Sequence, residues 1–186
     1  MKPEDEFKHL QYGAGHSDGI EGVGLLLFKV YCQGNSNTVL KNAREVLEIV
    51  LQQYDTFWLS EEDWRGKLPF WFVTACAPER SLAEVEEDIV KWRALSSEEQ
   101  QCQAEEESWS VMEWISWFEP SDDPFNQRTW FWWDASIKDP DLLVVTVEVV
   151  DIPVPLGALL WLLKASGALK IEEAEKDDTV SSWHLS

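Results

Sequence analysis

Cys76 is the side chain in this sequence best placed for covalent chemistry, at the end of the apolar run Pro69 to Ala77 and just before Pro78-Glu79-Arg80-Ser81 leads into a predicted helix. A thiol near a helix N-terminus can have its pKa lowered by the dipole, which makes Cys76 the reactive-thiol candidate. Against that use, no histidine or lysine accompanies it, the nearby glutamates oppose ionisation, and cysteine is among the most often buried residues. Histidine occurs only as His9, His16 and His184, in the terminal segments. Such scattered histidines offer little for a catalytic pair or a metal site. Carboxylate pairs are common, at Asp122–Asp123, Glu105–Glu107 and Asp139–Asp141, as any chain this acidic will produce. Asp134 and Asp151 stand apart because both fall at predicted strand ends, although a turn residue and a helix cap are their ordinary uses. Asp122, Asp123 and Asn126 lack the spacing of a calcium loop. Gly13-x-Gly15 and Gly22-x-Gly24 precede a strand instead of joining a strand to a helix, so neither cradles phosphate. No cofactor and no metal are expected.

Twelve tryptophans are the other chemical resource, clustered at 58–71, 109–117 and 130–133. In Trp130-Phe131-Trp132-Trp133 alternate residues must point to opposite faces of a strand. Either both faces are covered or indoles are exposed, and exposed aromatics flanked by carboxylates suit cations or sugars. Trp114, Trp130, Trp132, Trp133 and Trp161 are the aromatic candidates for binding, with Asp134 beside them.

The charge balance narrows the partners. Lys and Arg number 15 against 35 Asp and Glu, for a net charge of -20, and the basic residues are spread singly. Nucleic acids and anionic membrane surfaces are therefore expected not to bind. The N-terminus shows no signal-peptide pattern, and the apolar run from Ile152 to Leu163 is too short to span a bilayer. Cys32, Cys76 and Cys102 are odd in number and lack a CxxC pair, which suits reduced thiols in the cytoplasm.

The elements that must position these groups read as β-α-β-α-β-β-β-α-β. Residues 1–21 are expected to be an irregular lead-in, 22–174 a single α+β domain, and 175–186 a polar tail. Strands are predicted at Val23 to Tyr31, Pro69 to Ala77, Trp109 to Phe118, Arg128 to Ala135, Leu142 to Val150 and Ala168 to Glu173. The first helix carries the stripe Val39, Ala43, Val46, Leu47, Val50, Leu51 and Tyr54, with Asn37 as its N-cap. Ser60 to Asp63 has the makings of a short helical turn carrying Trp64. Ser81 and Glu84 have capping-box spacing, and the helix they open points Leu82, Val85, Ile89 and Trp92 inward and Glu84, Glu86, Glu87 and Asp88 outward. Ser97 to Glu107 reads as an acidic, partly helical segment. A third helix follows Asp151, which is expected to cap it, and ends at Gly167; Trp161 lies off its core stripe.

One mostly antiparallel sheet of about six strands backed by about three helices follows. The two strand-helix-strand units at either end resemble the ferredoxin-like building pattern in element order. The function expected is non-enzymatic: an acidic protein-protein interaction domain that neutralises or regulates a basic protein partner through Glu84, Glu87, Asp88 and tryptophan anchors. The alternative is a domain with a tryptophan-lined pocket for a cationic or sugar-like ligand. The surplus apolar surface of the third helix and of Trp130 to Trp133 predicts a homodimer.

Overall fold

A computed structural model describes residues 1–15, 17–54, 56–96, 99, 108–121 and 128–174. In chain order the elements are α1 (Pro3–Tyr12), β1 (Gly24–Tyr31), α2 (Ser36–Leu51), α3 (Glu61–Lys67), α4 (Phe70–Ala75), α5 (Leu82–Ala94), α6 (Val111–Ser116), β2 (Trp130–Asp139), β3 (Leu142–Val149), α7 (Gly157–Ala165) and β4 (Lys170–Glu173). The class is α+β as expected, but the described residues hold four strands and seven helices where six and three were predicted.

The four strands form one antiparallel sheet in the order β2-β3-β1-β4. With α2 joining β1 toward β2 and α7 joining β3 to β4, the frame has the element order β-α-β-β-α-β of the split β-α-β, ferredoxin-like pattern. Helices α3 to α6 are inserted between α2 and β2.

Alternation decides which strand residues meet the helices. Phe28 and Val30 of β1, Leu143, Val145, Val147 and Val149 of β3, and Trp130 and Trp132 of β2 are buried. Against them lie Val39, Ala43, Val46, Leu47 and Val50 of α2, the stripe its 3.6-residue period requires, and Leu159, Leu162 and Leu163 of α7. Asn35 is the N-cap of α2, one residue outside the helix, so Asn37 lies within its first turn. Gly167, at φ +112°, lets the chain leave α7 by a left-handed residue, and the N–H of Ala168 then reaches the Leu163 carbonyl. Asp151 does not cap α7, whose N-cap is Leu156; its carboxylate accepts the N–H of Ile152.

Two predicted strands are helices. Residues 109–118 alternate as a strand would, yet Val111, Trp114, Ile115 and Phe118 also fall at i, i+3, i+4 and i+7, and all four are buried. Ser110 and Glu113 exchange capping-box hydrogen bonds and commit this stretch to α6. The Pro69–Ala77 run becomes α4, which buries only Phe72 completely and leaves Phe70 84% exposed. All that remains of a strand pairing there is one bridge between Ala77 and Ser110.

The lead-in is also structured. Residues 1–21 contain α1, with Pro3 at its first turn followed by Glu4, Asp5 and Glu6, residues that complement the positive end of the helix dipole. Helix α1 covers the edge strand β2. Glu6 is wholly buried and receives both Nη1 and Nη2 of Arg128 at 2.8 Å, and its Oε1 also accepts the Trp132 N–H at 2.8 Å. An N–H on the sheet edge is thereby satisfied by a side chain. The Arg128 guanidinium lies over the rings of Phe118, Trp130 and Phe131 at 4.7, 5.3 and 4.8 Å. The cluster ties α1 to β2 and to the segment just after α6 through charge and aromatic faces alike.

Candidate functional site

The fold spends most of the candidate indoles on its core. Trp114 and Trp132 are wholly enclosed, Trp130 nearly so, and the Trp114 Nε1–H donates to the carbonyl of Ala158 in α7 at 2.9 Å. Trp161 is partly buried and packs on the same core. These side chains therefore present little surface to a partner, and the open indole faces expected on β2 are covered. Trp133 is the exception in its placing. A register shift between Trp132 and Asp134 makes it the extra residue of a β-bulge, and its ring meets the edge of His9 from α1 at 4.7 Å.

Cys76 is not poised for attack. It follows α4 and lies partly buried, and that burial pushes its thiol up to about 11, with Trp161 and Arg65 only partly offsetting the effect. Burial likewise raises Cys32. Among the described residues no group of three or more His, Cys, Asp or Glu could hold a metal ion, and no helix is long and apolar enough to cross a membrane. His16, His184, Cys102, the 100–107 acidic stretch, Asp122, Asp123, Asn126 and the 175–186 tail lie outside the described residues.

Two surfaces carry unusual chemistry. The first is α5. Its capping box forms as expected, with the Ser81 hydroxyl facing the Glu84 N–H and the Glu84 carboxylate accepting from Ser81. The stripe predicted to point inward does not enter the core: Val85 and Trp92 are partly buried and Ile89 is 43% exposed, while Val90, off that stripe, is 67% exposed. Helix α5 touches the other elements only sparsely. Glu84, Glu86 and Glu87 are exposed, and Asp88 is tied to Arg80 at 3.1 Å. Arg80 also reaches Glu113 on α6. Burial at Glu113 works against ionisation, but Arg80 and the Ser110 N–H outweigh it and hold the carboxyl below its ordinary range. At the foot of α5, Arg80, Ser108, Trp109, Glu113, Ser116 and Trp117 line an open pocket of about 310 Å³. Its two indoles are tilted against each other at 6.1 Å.

The second is a cleft of about 380 Å³ between α1, the segment after it, and the β2–β3 edge. Its walls include Asp5, Lys8, His9, Asp18, Glu21, Trp133 and Glu148. Glycine geometry closes it. Gly13 turns at φ +76°, and a Cβ there would come within 2.8 Å of an Asp134 oxygen. A Cβ on Gly22 would come within 2.1 Å of the Val149 carbonyl oxygen, so only glycine lets this segment run along β3. The Asp18 carboxylate accepts the Gly15 N–H at 2.6 Å and faces His9 Nε2 at 2.9 Å; these two contacts, the backbone one first, lower its pKa. Glu148, wholly buried, accepts the N–H groups of Glu21 and Gly22 on Oε1 at 2.5 and 2.7 Å. Its Oε2 has no hydrogen-bond donor, and the Met1 amine stands 3.7 Å away, closer to Glu21 at 3.0 Å. His9, buried, also leaves Nδ1 without a partner.

Of the sequence candidates, Trp133 lines this cleft and Asp134 abuts its Gly13 wall, while Glu84, Glu87 and Asp88 share α5. The reading missed His9, Asp18, Glu21 and Glu148. The signal available for His9 was the helix start at Pro3; for Glu148 it was a carboxylate inside an otherwise apolar strand. Neither a family model, nor a curated protein, nor a solved structure matches this chain.

Proposed function

We propose that this protein is a non-enzymatic interaction domain whose docking element is α5, and that its partner is a basic amphipathic segment of another protein. The observation that carries this reading is the unburied apolar stripe of α5 set among acidic side chains. A helix of 13 residues is marginal in water without a packed face. Its capping box contributes about 1 kcal/mol, and the Lys91 contacts to Glu87 and Asp88 are exposed ion pairs that water and salt screen. A partner that covers Val85, Ile89 and Val90 would supply the missing burial. The net charge of -20 selects a basic one, steers its approach and keeps polyanions away. The Trp109–Trp117 pocket beside α5 supplies the aromatic anchor point. Such a domain neutralises or regulates the protein that bears the basic segment, and the free thiols of Cys32 and Cys76 suit a cytoplasmic setting.

A second copy is the competing occupant of the same face, and self-repulsion limits it to high salt. The test is fluorescence anisotropy with a labelled leucine–lysine amphipathic peptide, its leucine–glutamate counterpart and heparin. Binding of the basic peptide alone, in the micromolar range, weakened at least about tenfold by Ile89→Glu and by added salt, is expected. No binding at about 100 µM peptide in low salt, or equal binding by the Ile89→Glu variant, sinks the reading. Sedimentation that shows a dimer at low salt through α5 would replace the basic partner with a second copy.

A further inference from the structure

We infer that the face of the sheet turned away from α2 and α7 is an interface with a second copy of this chain. An antiparallel sheet with one face in water alternates apolar and polar residues. Here β1 reads Leu25-Leu26-Leu27-Phe28 and β3 reads Leu142-Leu143-Val144-Val145, the continuous apolar run of a sheet covered on both sides. Phe28, Val30, Leu143, Val145 and Val147 face the helices. Their neighbours Leu25, Leu27, Tyr31, Leu142 and Val144 point the other way, are only partly buried and belong to no part of the core. Register sets them side by side: Tyr31 lies opposite Leu142, Lys29 opposite Val144, and Leu27 opposite Thr146. Trp130, Trp132 and Trp133, from which a homodimer was expected, are buried, and this face takes their place.

Charge selects a second copy over a basic partner. On the β4 side Lys29 and Lys170 flank the apolar centre together with Glu172, which pairs with Lys170 at 2.5 Å and accepts the Tyr31 hydroxyl at 2.9 Å. Asp134 and Asp139 lie on the β2 side. On a chain of net charge -20, so balanced a patch is where two copies repel least, and a polycation gains more on α5. The strand order is β2-β3-β1-β4, so a two-fold axis running along the strands between β1 and β3 lays β1 over the second copy's β3, and β4 over its β2. Asp139, Leu142, Tyr31 and Lys170 share one row across the sheet. Lys170 therefore lies toward the second copy's Asp139, and Leu142 toward its Tyr31. At about 3.4 Å per residue and about 4.8 Å between strands, the face has a footprint on the order of 400 Å² per copy once the corner held by Glu21 and Gly22 is set aside. With side-chain relief counted, two copies cover on the order of 1,000 Å², the lower end for a specific contact. The dimer is therefore a weak one.

The interface leaves α5 free and does not depend on a basic partner there. Its test is sedimentation equilibrium of the full chain at about 10–500 µM, in about 0.15 M and about 0.5 M NaCl. A monomer–dimer equilibrium is expected, with a Kd on the order of 100 µM at the lower salt and tighter at the higher, where the net charge is better screened. At the lower salt Val144→Lys should weaken it at least about tenfold, and Lys170→Glu about threefold or more. Lys41→Glu, the same charge change on the exposed side of α2, and Ile89→Glu on α5 should leave it unchanged. Far-UV circular dichroism checks that Val144→Lys folds; should it not, Lys170→Glu against Lys41→Glu decides, since both positions are exposed. A monomer at every concentration and salt, a dimer indifferent to Val144→Lys and Lys170→Glu, or a dimer lost in Ile89→Glu would overturn the assignment.

Discussion

Replacing Glu6 by alanine should unfold this protein more readily than almost any other single change near the N-terminus. The carboxylate is fully buried, and Arg128, which it pairs through two 2.8 Å hydrogen bonds, has a side chain only 4% exposed. Breaking a buried pair by removing one partner costs about 3–5 kcal/mol, because the remaining charge stays in a poor solvent. The Trp132 N–H loses its acceptor as well, a penalty of about 1–3 kcal/mol when taken alone. Both losses arise from one carboxylate, so they overlap and do not sum. About 4 kcal/mol is the expected deficit, out of a total of about 5–15 kcal/mol for an ordinary domain. At about 2–4 °C per kcal/mol for a chain of this size, the Tm falls by about 8–16 °C. Urea unfolding followed by far-UV circular dichroism measures it. The paired variant Glu6→Met with Arg128→Met should lie closer to wild type than either single variant, since removing both charges removes the uncompensated one. A Glu6→Ala variant within about 1 kcal/mol of wild type would refute the reasoning and return α1 to the status of a loose lead-in.

Two other consequences can be checked directly. With its thiol at about 11, Cys76 should be ionised in only about one molecule in a thousand at about pH 8, so iodoacetamide should label it far more slowly in the folded chain than in urea, as read by peptide mass spectrometry; equal rates would show that burial does not protect it. The Glu113 carboxyl is held below its ordinary value in the folded state, so its contribution is present above about pH 5 and is lost as pH falls through the folded value. Glu113→Gln should therefore be less stable than wild type near neutral pH, and the difference should close toward about pH 3 in denaturant titrations; a gap that stays constant with pH would assign the loss to packing instead of charge.

Where period, length and capping agreed, the elements were legible in the sequence. The α2 stripe from Val39 to Leu51 matches one template only, and β1 and β3 are short apolar runs with a turn after them. The strand-helix-strand unit expected at the N-terminal end counts Pro69 to Ala77 as its second strand, and that run is helix α4; the strand that follows α2 in the sheet order is β2. Two stretches of the insertion are too short for periodicity to arbitrate, six residues each in α4 and α6; aromatic propensity favours strand in both, and the burial of Val111, Trp114 and Ile115 decides α6 for helix. The arbiter is the capping spacing of Ser110 and Glu113, the same as that of Ser81 and Glu84. The α5 stripe was read correctly as amphipathic and wrongly as inward, because a period reports a face and not what covers it.

The cleft was the least legible feature, and α1 and β2 show why. Pro3 with Glu4, Asp5 and Glu6 is a helix start, but a run of acidic residues at a chain end also reads as solvated tail, and only the Arg128 and Trp132 contacts from more than a hundred residues away distinguish the two. Trp133 compounds the difficulty. Strict alternation sends it to the face opposite Trp132, open to a partner, whereas one extra residue in β2 breaks the register at that point and lets both indoles be buried. A bulge leaves no mark in Trp130-Phe131-Trp132-Trp133, since any of the four could be the unpaired residue. It is α1 that makes the bulge tolerable, by giving Trp133 the edge of His9 to pack on and the Trp132 N–H the carboxylate of Glu6. The site and the helix that builds it are thus one inference, and misreading the first twelve residues as irregular removed both at once.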